Sequence, residues 1–138
     1  MITYTDLTED QRQLYLKALI ATAKADEALD EEEVTFFQQI AEGVGIDGPT
    51  VQLYLQDDSL DLQAVPAMRT PVGALILRDA AAMAVINNDL AEQEEAFILA
   101  LGKAMQFSEE EVEDFLNWAF MGLQWQLKST SLLERFAS

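Results

Sequence analysis

Slid along itself by 61 residues, this chain matches itself without a gap: Leu14–Leu55 falls on Leu75–Leu116, and 10 of the 42 pairs are identical. The identities include Leu16/Leu77, Ala23/Ala84, Leu29/Leu90, Glu33/Glu94, Phe36/Phe97, Val51/Val112 and Leu55/Leu116. Other pairs keep apolar character, among them Ile40/Leu101, Val44/Met105 and Ile46/Phe107. Helix starts, turns and apolar positions share one register, as expected of a duplicated supersecondary unit. The period within each copy is helical. Thr8 with Gln11 forms a capping box ahead of Leu14, Leu16, Leu19 and Ile20. Asp30 with Glu33 opens a second helix that stops near Gly43 and Gly45, and Pro49 suits the first turn of a short third one. In the second copy Pro71 opens a long apolar helix, another runs from about Glu92 to Met105, and Ser108 with Glu111 caps a helix reaching about Leu127. Ser131 with Glu134 is placed to cap a last short turn. No segment alternates with the period of two that a half-buried strand requires. The expectation is an all-α fold of about seven helices: two pseudo-symmetric three-helix repeats, about 9–56 and 71–127, joined by a connector over about 57–70 and packed into one bundle-like domain. The two equivalent alanine-rich helices, Leu14–Lys24 and Leu75–Ile86, are expected side by side at its centre.

Composition removes most chemistry. The 138 residues include no Cys and no His, so disulfides, thiolate sites, Ser-His triads and nearly all zinc or non-haem iron sites are excluded. Carboxylate pairs could still hydrolyse glycosides, but none is spaced for it, and the chain reads as a non-enzyme. The net charge of −17 argues against nucleic acid, whose phosphates need clustered Lys and Arg, and against an anionic membrane surface. Cations and basic proteins are the electrostatically compatible partners. The most apolar stretch, Leu75–Ile86, is interrupted by Arg78 and Asp79 and falls short of the roughly 20 residues of a membrane span. With no signal-like start, a cytoplasmic location is expected.

The turn between the first two helices of copy one reads Ala25-Asp26-Glu27-Ala28-Leu29-Asp30-Glu31-Glu32-Glu33. It resembles the repeats of the tellurite-resistance TerB-like family, which carry Ala-Asp-Gly-x-Ile/Leu followed by a Glu four residues later. The copy-two turn, Ile86–Glu94, is a weaker match. Glu27 and Asn88 stand at the glycine positions, and Asn87 replaces the second Asp. The resemblance implies an all-helical domain of about seven helices with pseudo-twofold symmetry, an acidic surface, a link to tellurite and stress resistance, and divalent-cation binding.

Four sets of residues stand out. If a cation binds, the hard oxygen ligands select Mg²⁺ or Ca²⁺ at Asp26, Asp30 and Glu33, with Asp89 and Glu94 as the thinner copy-two counterpart. Neither turn is a calcium loop of the helix–loop–helix kind, because the early ligand positions hold Thr22 and Lys24, or Met83 and Val85. The same acids at helix starts also serve as caps and complement the helix dipole. Asp79 lies on an otherwise apolar face with Leu75 and Ala82, so it needs a partner, for which Lys17 and Lys24 are candidates. Finally, the helix after Ser108 is apolar on two sides: Phe115, Trp118, Gly122 and Trp125 along one, Leu116, Phe120, Leu123 and Leu127 along the other. Such a helix is buried on both sides or meets a partner. Trp118 and Trp125 are therefore candidate contacts for a protein partner or a homodimer. Two functions follow: a non-enzymatic acidic binding module of the TerB-like kind, or a helical scaffold or adaptor that docks through its aromatic C-terminal helix.

Overall fold

A computed structural model describes residues 6–25, 29–56, 60–85 and 92–136. Its helices are α1 (Glu9–Lys24), α2 (Glu31–Val44), α3 (Gly48–Gln56), α4 (Pro71–Val85), α5 (Glu92–Ala104) and α6 (Glu109–Glu134), and no strand occurs among the described residues. All three capping boxes form. The side chains of Thr8, Asp30 and Ser108 each accept from the backbone N–H three residues on, and Gln11, Glu33 and Glu111 reach back to the cap N–H. Each box satisfies two N–H groups that the first helical turn leaves without a partner. Within the connector lies a short 3₁₀ segment, Leu62–Ala64, capped by Asp61.

α4 is the hub. It packs against α1, α5 and α6, while α2 and α3 pack on each other and on α1. Small side chains allow α1 and α4 to meet closely: Ala18 and Ala23 on one helix, Ala80, Ala81 and Ala84 on the other are buried. Thr22, fully buried on α1, satisfies its hydroxyl by donating to the Ala18 carbonyl at 2.7 Å. Burial follows the 61-residue register. Leu16 and Leu77, Phe37 and Ile98, Val44 and Met105, and Val51 and Val112 are buried in both halves.

The turns leaving α2 and α5 are also built alike. Gly45 (φ 79°) donates to the Glu42 carbonyl at 3.2 Å, and Ile46 donates to Ala41 at 2.8 Å. At the matching places Gln106 (φ 74°) donates to Lys103 at 3.0 Å and Phe107 to Gly102 at 2.9 Å. Both are left-handed helix ends, reached once by glycine and once by a residue for which that conformation is unfavourable. The connector is tied down where the second half begins: Met68 N–H donates to the Met105 carbonyl at 3.0 Å, and the Arg69 guanidinium grips Glu111 with two nitrogens.

The expected end of α6 needs correction. Ser131 and Glu134 do not cap a separate turn; α6 runs unbroken for 26 residues through both. Between Leu123 and Phe136 there is no Gly or Pro, so nothing stops the helix.

Candidate functional site

Two surfaces draw attention, a cleft and a helix face. The cleft, of about 320 Å³, lies among α1, α2 and α4 and is lined by Tyr15, Leu19, Phe36, Ile40, Met83 and Asp79 among others. Asp79 is the carboxylate expected to need a partner, and its side chain is 15% exposed. Its partners are not the lysines proposed from the sequence. Tyr15 donates its hydroxyl to Asp79 Oδ2 at 2.5 Å, and Arg78 Nε donates to Oδ1 at 2.8 Å. Lys17 instead sits 4.9 Å from the centre of the Tyr54 ring, and Lys24 donates to the Leu55 carbonyl at 2.7 Å. The physical reason is reach. Tyr15 and Asp79 meet across the α1–α4 contact, whereas both lysines point toward α3. The cleft is at the small end of ligand-sized cavities, and its carboxylate is already paired with Arg78 and hydrogen-bonded by Tyr15.

The candidate cation ligands are less assembled. Asp30 and Glu33 are occupied with each other's backbone: Glu33 N–H donates to Asp30 Oδ1 at 2.8 Å and Asp30 N–H to Glu33 Oε1 at 3.3 Å. Glu94 lies half-buried in the first turn of α5. Asp26 and Asp89 lie outside the described residues. Among the described residues, no group of three or more Asp or Glu side chains is gathered as a metal site would need. Elsewhere, acids are recruited at helix starts. The Asp47 carboxyl is held below the usual carboxylate range by hydrogen bonds from the Thr50 side chain and backbone. Glu111 is lowered by its Ser108 backbone bond and then by Arg69. The Tyr54 phenol is raised by burial, reinforced by Asp47 and Glu9.

The second surface belongs to α6. Its first part is core: Val112, Leu116 and Ala119 are buried, with Phe115, Phe120 and Leu123 packed partly against them. Beyond that the helix turns an apolar face to solvent. Trp118 is 51% exposed and Trp125 78%, and Met121, Leu127, Leu132, Leu133 and Phe136 are exposed with them. The burial of both tryptophans that one sequence reading allowed is therefore absent. Beside this face, where α6 leaves α4, lies a hollow of about 540 Å³ lined by Val85, Trp118, Gly122, Leu123, Trp125 and Leu127 among others. Sequence reading singled out Trp118 and Trp125 but missed Met121, Leu132, Leu133 and Phe136. For Leu132 and Leu133 the signal was available: the run from Leu123 to Phe136 holds no helix breaker, so α6 continues through both.

No family model, no curated protein and no solved structure matches this chain. The likeness to TerB-like repeats thus rests on the turn residues alone. No helix among the described residues is long and apolar enough to cross a membrane.

Proposed function

We propose that this protein is a non-enzymatic docking module, a helical body that presents the outer part of α6 for another protein surface to cover. One observation carries the reading: seven large apolar side chains lie exposed from Trp118 to Phe136, six on the outer part of α6 and one just past its end. Monomeric proteins rarely expose contiguous apolar patches beyond a few hundred Å², and larger ones mark interaction sites. Tryptophan is also the side chain most often found at the energetic centre of interfaces. The acidic-module reading that accompanies the TerB-like resemblance, with Mg²⁺ or Ca²⁺ at Asp30 and Glu33, has less behind it. Both carboxylates already cap α2, a sufficient reason for their presence.

Intrinsic fluorescence tests the docking reading, because the chain has only two tryptophans and both lie on this face. In dilute protein shown to be monomeric, the emission is expected to be that of water-exposed indole and to be quenched freely by acrylamide. Blue-shifted, unquenchable emission from a monomer would mean that the outer helix is covered by its own body, and the reading would fall.

A further inference from the structure

The exposed face of α6 has a periodicity that selects its occupant. Trp118, Met121, Trp125, Lys128, Leu132 and Arg135 follow one another at alternating spacings of three and four residues, and all six are exposed. That is the spacing of a two-helix coiled-coil seam, here with four apolar positions and two cations. The positions beside it, Asn117, Gly122, Gln124, Ser129 and Ser131, are uncharged and mostly small, so another helix can approach without like-charge contacts. Resting on the docking reading above, we propose that the occupant is a second copy of this chain, its α6 lying antiparallel to the first.

Charge decides the direction. The chain carries −17, yet from Asn117 to Phe136 it has one acid, Glu134, against Lys128 and Arg135. A parallel pair would set Lys128 against Lys128 and Arg135 against Arg135, and would bring two strongly acidic bodies side by side. An antiparallel pair puts the bodies at opposite ends of an overlap running from Trp118 to Arg135. At 1.5 Å per residue that overlap is about 27 Å long, well beyond the screening length of about 10 Å in ordinary salt. It also carries each Arg135 toward Asp114 and Glu113 at the acidic start of the other α6.

The same geometry gives a register. In an antiparallel seam the alternate positions face each other, which aligns Met121 with Leu132 of the second copy, Trp125 with Lys128, and Trp118 with Arg135. Each cation then lies against an indole, a favourable partner for it. The surface has both parts of a self-complementary interface: protruding Leu133 and Phe136 at the helix end, and the hollow beside Gly122 where α6 leaves α4. The area is sufficient. At ordinary side-chain sizes the six exposed apolar residues other than Leu127, which lies on the far side of the helix, present on the order of 800 Å², about what each partner buries in a standard-size interface.

The absence of cysteine makes a disulfide test clean. Met121→Cys and Leu132→Cys are prepared separately; both sites are exposed, so neither substitution threatens the fold. Sedimentation of the wild type at micromolar concentration should give a dimer. Mild oxidation should yield covalent dimer from an equimolar mixture of the two variants and little from either alone, since a disulfide requires Cα atoms within about 7 Å. Trp125→Ala should weaken the dimer about thirty-fold or more while helical circular dichroism stays unchanged. Efficient cross-linking of Met121→Cys with itself would overturn the antiparallel register. A wild type that remains monomeric, with freely quenched tryptophans, would overturn the dimer and leave the docking face standing; a monomer with shielded tryptophans would remove both.

Discussion

α3 and α6 occupy the same place in the two halves of the chain and begin almost identically. Asp47 accepts from the Thr50 N–H as Ser108 accepts from the Glu111 N–H, and Val51 and Val112 are buried one residue further on. Leu55 and Leu116 then pack against the core. There the likeness ends, because α3 stops after 9 residues and α6 continues to 26. Two turns are enough to close each half around its core. Beyond them α6 still gives Ala119, Phe120 and Leu123 to the body, but its other side faces solvent and carries the exposed tryptophans. The region that departs from the repeat is thus the one that keeps most of its large side chains outside the core. The α6 extension should therefore tolerate what the repeated core cannot.

The largest test of this contrast pairs Phe37→Ala with Trp125→Ala. Phe37 is fully buried, and its truncation should cost about 3–5 kcal/mol. Trp125 is 78% exposed, so its truncation should stay within about 0.5 kcal/mol in the monomer. Chemical denaturation measures both, and a comparable loss at Trp125 would show the extension folded onto the body. A step smaller is the matched pair Ala41 and Gly102. A methyl at Gly102 would lie 2.2 Å from Val112 Cγ2, whereas Ala41 already carries one. Gly102→Ala should lose about 1–3 kcal/mol from overpacking. A gain, as for an ordinary helical glycine, would mean that the α5–α6 contact is looser than described.

The two left-handed turns sharpen the comparison further. Gln106→Gly should stabilise by up to about 1 kcal/mol, and Gly45→Ala should lose a similar amount. Equal responses of the same sign would show that the turns are not equivalent. The smallest effect is in the pH dependence. Asp47 and Glu111 bind protons less readily folded than unfolded, so their charged forms favour folding. That contribution is complete above the ordinary carboxylate range of about 4 and is lost as pH falls through the lowered folded values. Asp47→Asn and Glu111→Gln should thus differ from the wild type at neutral pH and converge with it in acid. A gap in midpoint denaturant that persists at low pH would assign these residues a role other than charge.

Much of this was legible in the residues. Three capping boxes, the stop at Gly45 and the apolar register are local matters, decided by hydrogen bonds and burial within a few turns of helix. The end of α6 was misread because Ser131 and Glu134 have the chemistry of a cap, while the choice between capping and continuing depends on whether the helix is interrupted. The Asp79 partner was misread for a different reason: opposite charge nominated Lys17 and Lys24, but the partner had to lie across the α1–α4 contact.

Sequence alone determined that this chain is helical, that apolar positions recur 61 residues apart in its two halves, and that cysteine and histidine chemistry is closed to it. Those properties follow from residue type and spacing along the chain. Which apolar residues enter the core was a tertiary decision. Leu116 and Trp118 are neighbours on one helix with equal claims to burial, yet α4 and α5 cover only the side and the length of α6 that they can reach. The remainder stays apolar and exposed because, among the described residues, no other element extends far enough to cover it.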